Sequence, residues 1–265
     1  MKLKNKVVVI TGAAGGQGTV ISNVFAKEGA DIVGIDINLE GLKKTIEEVK
    51  KIGRRGLVIN ADVTKVNEVD EAFKKVEDEF ERVDILVNAA GVLGKMNYMI
   101  TQTEEDWDYV VDVNAKGTFL CDKAAVLLMI KNIKAKKQEK GKIINISSIV
   151  GRRGTALCSL YNASKFAVTG LTQSLAQEVG EYKINVNAIG PGIVDTPMNI
   201  DEAQQTAKLL NKTPEDVNRE FIEATPLKRL TLPIDVANAC LFFASDDSDM
   251  ITGQTLNVCG GIFVE

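Results

Sequence analysis

The sequence predicts an α/β fold, a doubly wound parallel sheet of about seven strands with helices on both faces. Short runs rich in β-branched residues alternate with longer segments that have helical periodicity. The strand runs are apolar along almost their whole length, as in sheets that are covered on both sides. The first run enters a glycine-rich turn, and a helical pattern follows directly.

The candidate strands are residues 6–11, 31–36, 56–61, 83–88, 142–147, 183–189 and 254–259. Between them, apolar residues recur every three or four positions, for example at Leu39, Leu42 and Ile46. Right-handed crossovers would wind these helices onto both faces of one sheet. We therefore expect residues 1–265 to form a single domain.

Two segments interrupt this alternation. Residues 131–142 are rich in lysine and are interpreted as a solvated helix end and a turn. Residues 192–230 contain two helical pieces, the second of which starts at Thr213 with Pro214 in its first turn. An insertion of this length after a parallel strand is expected to form a lid over a substrate site.

Composition excludes several classes of protein. With 45% hydrophobic and 26% charged residues and a net charge of −4, the chain matches a globular protein with no nucleic acid partner. No segment has the length of apolar sequence that spans a bilayer, and the run after the N-terminus is too short for a signal peptide. Four widely spaced cysteines predict reduced thiols, no metal site and a cytoplasmic location.

The turn TGAAGGQG at residues 11–18 is suited to a dinucleotide. Gly12, Gly16 and Gly18 permit a sharp strand-to-helix turn and a close approach of backbone amides to a pyrophosphate. Asp36 ends the second strand, where its carboxylate can accept hydrogen bonds from a ribose and repel a 2′-phosphate. Since no basic residue flanks it, the sequence favours NAD over NADP in a Rossmann-like fold.

The segment YNASK at residues 161–165 places Tyr161 and Lys165 one turn apart on a predicted helix. By itself such a pair is weak evidence, because a half-buried tyrosine and a solvated lysine are common. The chain contains no histidine, so any acid–base chemistry has to use other side chains. An ammonium group beside a phenol would lower its pKa, and so would a positively charged nicotinamide.

Taken together, the motifs resemble those of the short-chain dehydrogenase/reductase family over essentially the whole chain. The matching pieces are TGAAGGQG at 11–18, Asp62, NAAG at 88–91, Asn114, Ser148, YNASK at 161–165 and IGPGIVDT at 189–196. One departure is Cys259, where many relatives carry an acidic residue. The resemblance also implies a homo-oligomer, a tetramer or a dimer.

The resemblance implies four catalytic residues. Tyr161 would be the general acid or base, and Lys165 would favour its phenolate and hold the nicotinamide ribose. Ser148, 13 residues before the tyrosine, would orient the reacting oxygen. Asn114 would hold a water molecule that relays protons. The residues expected to bind NAD are Gly12, Gly15, Gly16, Gln17, Gly18, Asp36, Ile37, Asp62, Val63, Asn88, Ala89, Gly91, Tyr161, Lys165, Pro191, Gly192, Ile193 and Thr196.

The expected activity is hydride transfer between NAD(H) and a secondary alcohol or ketone, with a small alcohol, a polyol or a steroid-like molecule as substrate. The expected pocket lining is mostly apolar: Val92, Leu93, Gly94, Met96, residues 149–155, Leu157, Cys158, Ile193 and Met198. Arg152 or Arg153 could instead meet an anion. The alternatives are a 3-oxoacyl-acyl-carrier-protein reductase, whose acidic carrier the lysines of 131–142 could attract, and a dinucleotide-binding regulator without catalysis.

Overall fold

The computed structural model describes residues 1–264 and is built on one sheet. Its seven strands are β1 (Val7–Thr11), β2 (Asp31–Asp36), β3 (Gly56–Asn60), β4 (Ile85–Asn88), β5 (Gly141–Ile146), β6 (Ile184–Pro191) and β7 (Thr255–Val258). They lie in the order β3-β2-β1-β4-β5-β6-β7, and every neighbouring pair is parallel. All seven predicted strands are confirmed, with ends that differ by no more than two residues.

The described residues also form nine α-helices. These are α1 (Gly16–Lys27), α2 (Leu39–Lys51), α3 (Val66–Phe80), α4 (Glu104–Val111), α5 (Gly117–Lys134), α6 (Ser159–Val179), α7 (Pro197–Leu210), α8 (Pro214–Ala224) and α9 (Pro233–Ala244). A π-helical segment, Asp112–Lys116, joins α4 to α5. Within the described chain, no helix combines the length and apolar character needed to cross a membrane.

The central strand shows why the sheet is covered on both faces. Successive side chains of a strand point to opposite faces, so an entirely apolar strand needs two cores. Val7 and Val9 enter one core, whereas Val8 and Ile10 enter the other, and all four are at most 5% exposed. The first core is closed by α3, α5 and α6, and the second by α1, α2 and α9. The predicted doubly wound, Rossmann-like arrangement is confirmed.

The strand order creates a crevice at the carboxyl ends of the central strands β1 and β4. β1 pairs with β2 on one side and with β4 on the other, so the chain winds in opposite directions from this point. Thr11 and Asn88, at the carboxyl ends of β1 and β4, are directly paired. Ligands of such sheets bind outside the carboxyl ends of the strands at this reversal.

The segment after β6 forms the two predicted helical pieces, α7 and α8. Thr213 caps α8 through a hydrogen bond of 3.1 Å from the Asp216 amide, and Pro214 occupies the first turn. Ala203 and Ala207 of α7 pack against Val217 of α8 in a small apolar cluster. This cluster packs the two helices against each other.

Candidate active site

The glycine turn after β1 is shaped by close backbone contacts. Gly12 has a φ of +66°, and a Cβ atom there would lie 2.6 Å from the Ala90 nitrogen. A Cβ atom on Gly18 would lie 2.1 Å from the Gly12 carbonyl oxygen. Side chains at these positions would therefore push the turn away from the end of β4 and from the start of α1.

Asp36 is fixed at the end of β2 by two backbone amides. Its Oδ2 atom accepts a hydrogen bond of 2.9 Å from Ala14 in the glycine turn, and its Oδ1 atom accepts one of 2.8 Å from Asn38. A carboxylate oxygen has two lone pairs, so each oxygen can accept a further bond. The carboxylate is thus held rigidly and can still bind a diol.

A cavity of about 610 Å³, the glycine-loop cavity, lies between this turn and the ends of β2 to β4. Of the residues expected to bind a cofactor, those lining it are Gly12, Gly15, Gly16, Gln17, Gly18, Asp36, Ile37, Asp62, Val63, Ala89, Gly91 and Thr196. No lysine or arginine is among its described lining residues, whereas four aspartates are. A second phosphate group on a ribose would meet no cation in this cavity.

A second cavity of about 460 Å³, the tyrosine cavity, adjoins the first. Gln17, Ala89, Gly91, Thr196 and Met198 line both cavities, so one elongated ligand could extend from one into the other. The Oε1 atom of Gln17 is buried and has no hydrogen-bond partner among the described residues. An unpartnered acceptor in this shared wall fits a bound molecule that supplies a donor.

Three of the four predicted catalytic side chains meet in the tyrosine cavity. Ser148, Tyr161 and Lys165 line it, and the helix α6 places Tyr161 and Lys165 one turn apart, as predicted. Lys165 is 4% exposed, and its Nζ atom donates a hydrogen bond of 2.9 Å to the Ile146 carbonyl oxygen. The same Nζ atom lies 5.6 Å from the centroid of the Tyr161 ring.

Asn114 is fully buried in the π-helical segment and lines neither cavity. Its Oδ1 atom accepts from the Val92 amide, and its Nδ2 atom donates to the Val92 carbonyl oxygen and to Ser164 Oγ. A Cβ atom on Gly91 would lie 3.2 Å from Asn114 Oδ1 and 3.4 Å from Lys165 Nζ. Because Gly91 has no side chain, the space between Asn114 Oδ1 and Lys165 Nζ is not filled by a Cβ atom.

The electrostatics of the site differ from the sequence-based expectation. Burial raises the pKa of Tyr161, the nearby carboxyl group of Glu202 raises it further, and only the Ser148 hydroxyl lowers it. Burial lowers the pKa of Lys165 to about 8. Lys165, whose Nζ atom lies 5.6 Å from the ring centroid, is not among the groups that shift the pKa of Tyr161.

Four further predicted residues are divided between the cavity wall and the interior. Pro191, Gly192 and Ile193 line the tyrosine cavity. Asn88 lines neither cavity, because its side chain turns inward and donates to Asp122 at 2.7 Å and to Asn145 at 2.9 Å. Asn145 in turn donates to Asp122 at 3.1 Å and to Thr172 at 3.1 Å, and burial raises the pKa of Asp122 to about 7.

The sequence-based pocket prediction was incomplete. Leu93, Met96, Leu157, Cys158 and Met198 line the tyrosine cavity as expected, as do Ile149, Val150, Arg153 and Thr155. Val92 lines the glycine-loop cavity instead, and Gly94, Gly151, Arg152 and Gly154 line neither. The missed residues include Glu202, Thr206, Phe221 and Phe263. Helical spacing from Met198, which the prediction included, could have identified Glu202 and Thr206.

Comparisons with known proteins point to one family. A family model described as enoyl-(acyl carrier protein) reductase matches residues 12–262. A 3-oxoacyl-[acyl-carrier-protein] reductase of Thermotoga maritima is 36% identical over 264 residues, which cover 100% of both chains. A galactitol 2-dehydrogenase of Agrobacterium fabrum is 38% identical over 98% of both chains. The structure of an NAD⁺-bound xylitol dehydrogenase is 29% identical, with a TM-score of 0.94, and covers 98% of this chain and 100% of that one.

Proposed function

This chain belongs to the short-chain dehydrogenase/reductase family of oxidoreductases, and we propose that it transfers a hydride between NAD(H) and a secondary alcohol or ketone. The observation that carries the proposal is the meeting of Ser148, Tyr161 and Lys165 in a cavity that shares a wall with the glycine-loop cavity. A hydroxyl group, a phenol and an ammonium group in one mostly apolar space suit proton transfer to or from a substrate oxygen.

The glycine-loop cavity supports NAD as the cofactor. The glycine turn and the start of α1 would hold the pyrophosphate, since the first turn of α1 contains no acidic residue and the N-cap residue Gly15 offers no side chain to its amides. Asp36 would accept hydrogen bonds from the adenosine ribose, and the unpartnered Gln17 oxygen would accept one from the molecule in the shared wall. Without a cation in the described lining, a 2′-phosphate would be repelled by Asp36.

Bound NAD⁺ supplies the hydride acceptor and a positive charge that favours the Tyr161 phenolate. In alcohol oxidation, Tyr161 would take the hydroxyl proton as the phenolate, and Ser148 would hold the same oxygen by a hydrogen bond. In ketone reduction, the neutral phenol returns that proton to the carbonyl oxygen. Because the pKa of Tyr161 is raised in the protein alone, the phenol is protonated at neutral pH and carries the proton that ketone reduction requires.

Three relatives, each 36% identical to this chain, favour a second function, a 3-oxoacyl-acyl-carrier-protein reductase. Three of the six lysines of 131–142 form ion pairs within the protein, so the segment gives this alternative less support than the sequence suggested. Lys131 is paired with Glu77, and Lys140 and Lys142 are paired with Asp249 at 2.6 and 2.8 Å. Charges that are satisfied within the protein attract an acidic carrier less strongly. A dinucleotide-binding regulator without catalysis is disfavoured by the complete Ser148, Tyr161 and Lys165 set.

We further propose a homo-oligomer in the cytoplasm. Large apolar side chains are exposed on α4, α5 and α6, among them Trp107 (45%), Tyr109 (56%), Phe119 (46%), Leu127 (62%) and Phe166 (45%). An apolar surface of this kind is typical of contacts between copies of a chain. The free thiols of all four cysteines support a reducing compartment. Light scattering combined with size exclusion would test the oligomer directly.

A substrate screen tests the proposed activity. Secondary alcohols, polyols, hydroxysteroids and 3-oxoacyl thioesters are offered with NAD(H) and NADP(H), and the absorbance of the reduced nicotinamide is followed. We expect turnover of an alcohol or its ketone with NAD(H), and a loss of at least about a hundredfold in kcat for Tyr161→Phe. Turnover confined to acyl thioesters with NADPH would favour the reductase instead. Activity retained by Tyr161→Phe would refute the assignment of the proton donor.

A further inference from the structure

One face of α7 forms a wall of the tyrosine cavity. Met198, Glu202 and Thr206, each one turn after the last, all line it. Most of the other lining residues are apolar, and the charged groups besides Glu202 are Arg153 and Lys165. A carboxyl group has therefore been placed in the space where the substrate is expected to bind.

Glu202 has no partner that would explain a structural role. Among residues 1–264, no hydrogen bond or ion pair involves its carboxyl group. Burial and the neighbouring Asp201 raise its pKa to about 7, and its charge raises the pKa of both Tyr161 and Cys158. The carboxyl group thus acts on the side chains inside the cavity. A partly buried, unpartnered carboxyl group costs stability, which a ligand with a hydrogen-bond donor would offset.

The helix α7, which carries Glu202, is held in place by hydrogen bonds of the Gln205 side chain. Gln205 accepts a hydrogen bond of 2.8 Å from the Met96 amide and donates one of 3.2 Å to the Gly94 carbonyl oxygen. These two bonds tie α7 to the loop that follows β4. The opposite side of α7 packs on α8 through Ala203 and Ala207. Because both sides of the helix are held, the backbone of Glu202 is kept at the cavity wall, which its side chain lines.

We propose that Glu202 is a specificity-determining residue that accepts a hydrogen bond from a second hydroxyl group of the substrate. The preferred substrate class is then a neutral diol or polyol, or the corresponding hydroxyketone. This inference rests on the proposed function and names the substrate class for the same site. A cationic substrate is disfavoured because Arg153 and Lys165 line the same cavity, and an anionic one is disfavoured by Glu202 itself. Thr155 and Thr206 offer further hydroxyl partners in the wall.

The test compares substrates that differ by one hydroxyl group. The pairs are cyclohexanol with 1,2-cyclohexanediol and 2-butanol with 2,3-butanediol, each in all stereoisomers, and glycerol and a pentitol extend the series. The ratio of kcat/KM between diol and mono-alcohol is measured for wild type, Glu202→Gln and Glu202→Leu. Glu223→Gln is the matched control, since this exposed carboxyl group lies on α8 and lines neither cavity.

We expect the kcat/KM of wild type to be about tenfold or more higher for the diol than for the mono-alcohol of each pair. This ratio corresponds to the contribution of one hydrogen bond to a charged group. Glu202→Leu should abolish this preference, Glu202→Gln should keep part of it, and Glu223→Gln should keep it in full. NADH binding should stay within about twofold of wild type in all variants, because Glu202 does not line the glycine-loop cavity. That measurement also shows that the variants are folded.

The possible failures are distinguishable. If wild type oxidises both members of each pair equally well, or if Glu202→Leu keeps the diol preference, the role of Glu202 is wrong and the proposed function stands. A preference for 2-aminocyclohexanol over the diol would also overturn the inference, because the substrate donor would then be an ammonium group. If no alcohol, polyol or ketone is turned over with either cofactor, the proposed function fails, and the inference fails with it.

Discussion

Replacement of Asp36 by alanine should change which dinucleotide the protein binds. Each Asp36 oxygen already accepts one backbone amide, at 2.9 and 2.8 Å, and has one position left for a ribose hydroxyl. A hydrogen bond to a charged group contributes about 1.5–3 kcal/mol. Loss of one such bond should therefore raise the Kd of NADH about 10- to 100-fold.

The same substitution removes a repulsion from a 2′-phosphate. Two unit charges about 4 Å apart interact by ~1 kcal/mol in water and ~4 kcal/mol near a protein surface. Since Asp36 is only partly buried, we take the lower part of this range and expect the Kd of NADPH to fall about tenfold. The ratio of the two Kd values should then change by roughly 100-fold or more, by the sum of both effects.

The assay is a titration of nicotinamide fluorescence with NADH and with NADPH for wild type, Asp36→Ala and Asp108→Asn. Asp108 lines the same cavity from α4, so its substitution controls for the loss of one negative charge. Thermal unfolding of each variant measures the stability that is lost when the amides of Ala14 and Asn38 have no Asp36 carboxylate to bond. A ratio of Kd values that stays within about threefold of wild type in Asp36→Ala would refute the role of Asp36, and tighter NADPH binding by wild type would refute the preference for NAD.

Three further substitutions test other parts of the site. At Gly12 a φ of +66° is combined with a contact of 2.6 Å for an added Cβ atom, whereas Gly53 has a φ of +88° and no atom within 4 Å. Gly12→Ala should therefore lower the free energy of unfolding by at least ~2 kcal/mol more than Gly53→Ala. Equal losses in denaturant titrations would contradict this expectation. The pKa of Lys165 is about 8 when folded and 10.5 when unfolded, so from pH 8 to 10.5 the unfolded state holds the extra proton and stability rises with pH, by up to ~3 kcal/mol. Lys165→Met should lack this rise, and parallel pH curves for variant and wild type would refute it. Gln205→Ala should increase hydrogen exchange in 197–210 about tenfold, whereas exchange as slow as in the exposed control Gln204→Ala would show that the two bonds do not hold α7.

The sequence predicted the strands and the placement of Tyr161 and Lys165 on one helix because both depend on local patterns. Four consecutive apolar residues in β1 require two covered faces, and the spacing of Tyr161 and Lys165 places both on one side of α6. The glycine turn was recognisable for the same reason, since its position after a strand and before a helix is a local property.

What the sequence did not predict depends on distant contacts. Glu202 and Phe263 line the tyrosine cavity only because α7 and the C-terminal segment fold over it. The inward turn of Asn88 depends on Asp122, 34 positions later in the chain, and on Asn145. The raised pKa of Tyr161 could not be foreseen either, because it follows from burial and from a carboxyl group of a different helix.

The buried group of Asp122, Asn88 and Asn145 also constrains how this sequence can diverge. Asn88 lies on β4, Asn145 on β5 and Asp122 on α5, and every bond among them satisfies a donor that has no access to water. A single apolar replacement would leave at least one buried donor or acceptor without a partner, at a cost of about 1–3 kcal/mol. Replacement of all three by apolar residues of similar shape would avoid that cost. In an alignment of relatives, these three columns should therefore covary, and ancestors with only one position changed should be rare.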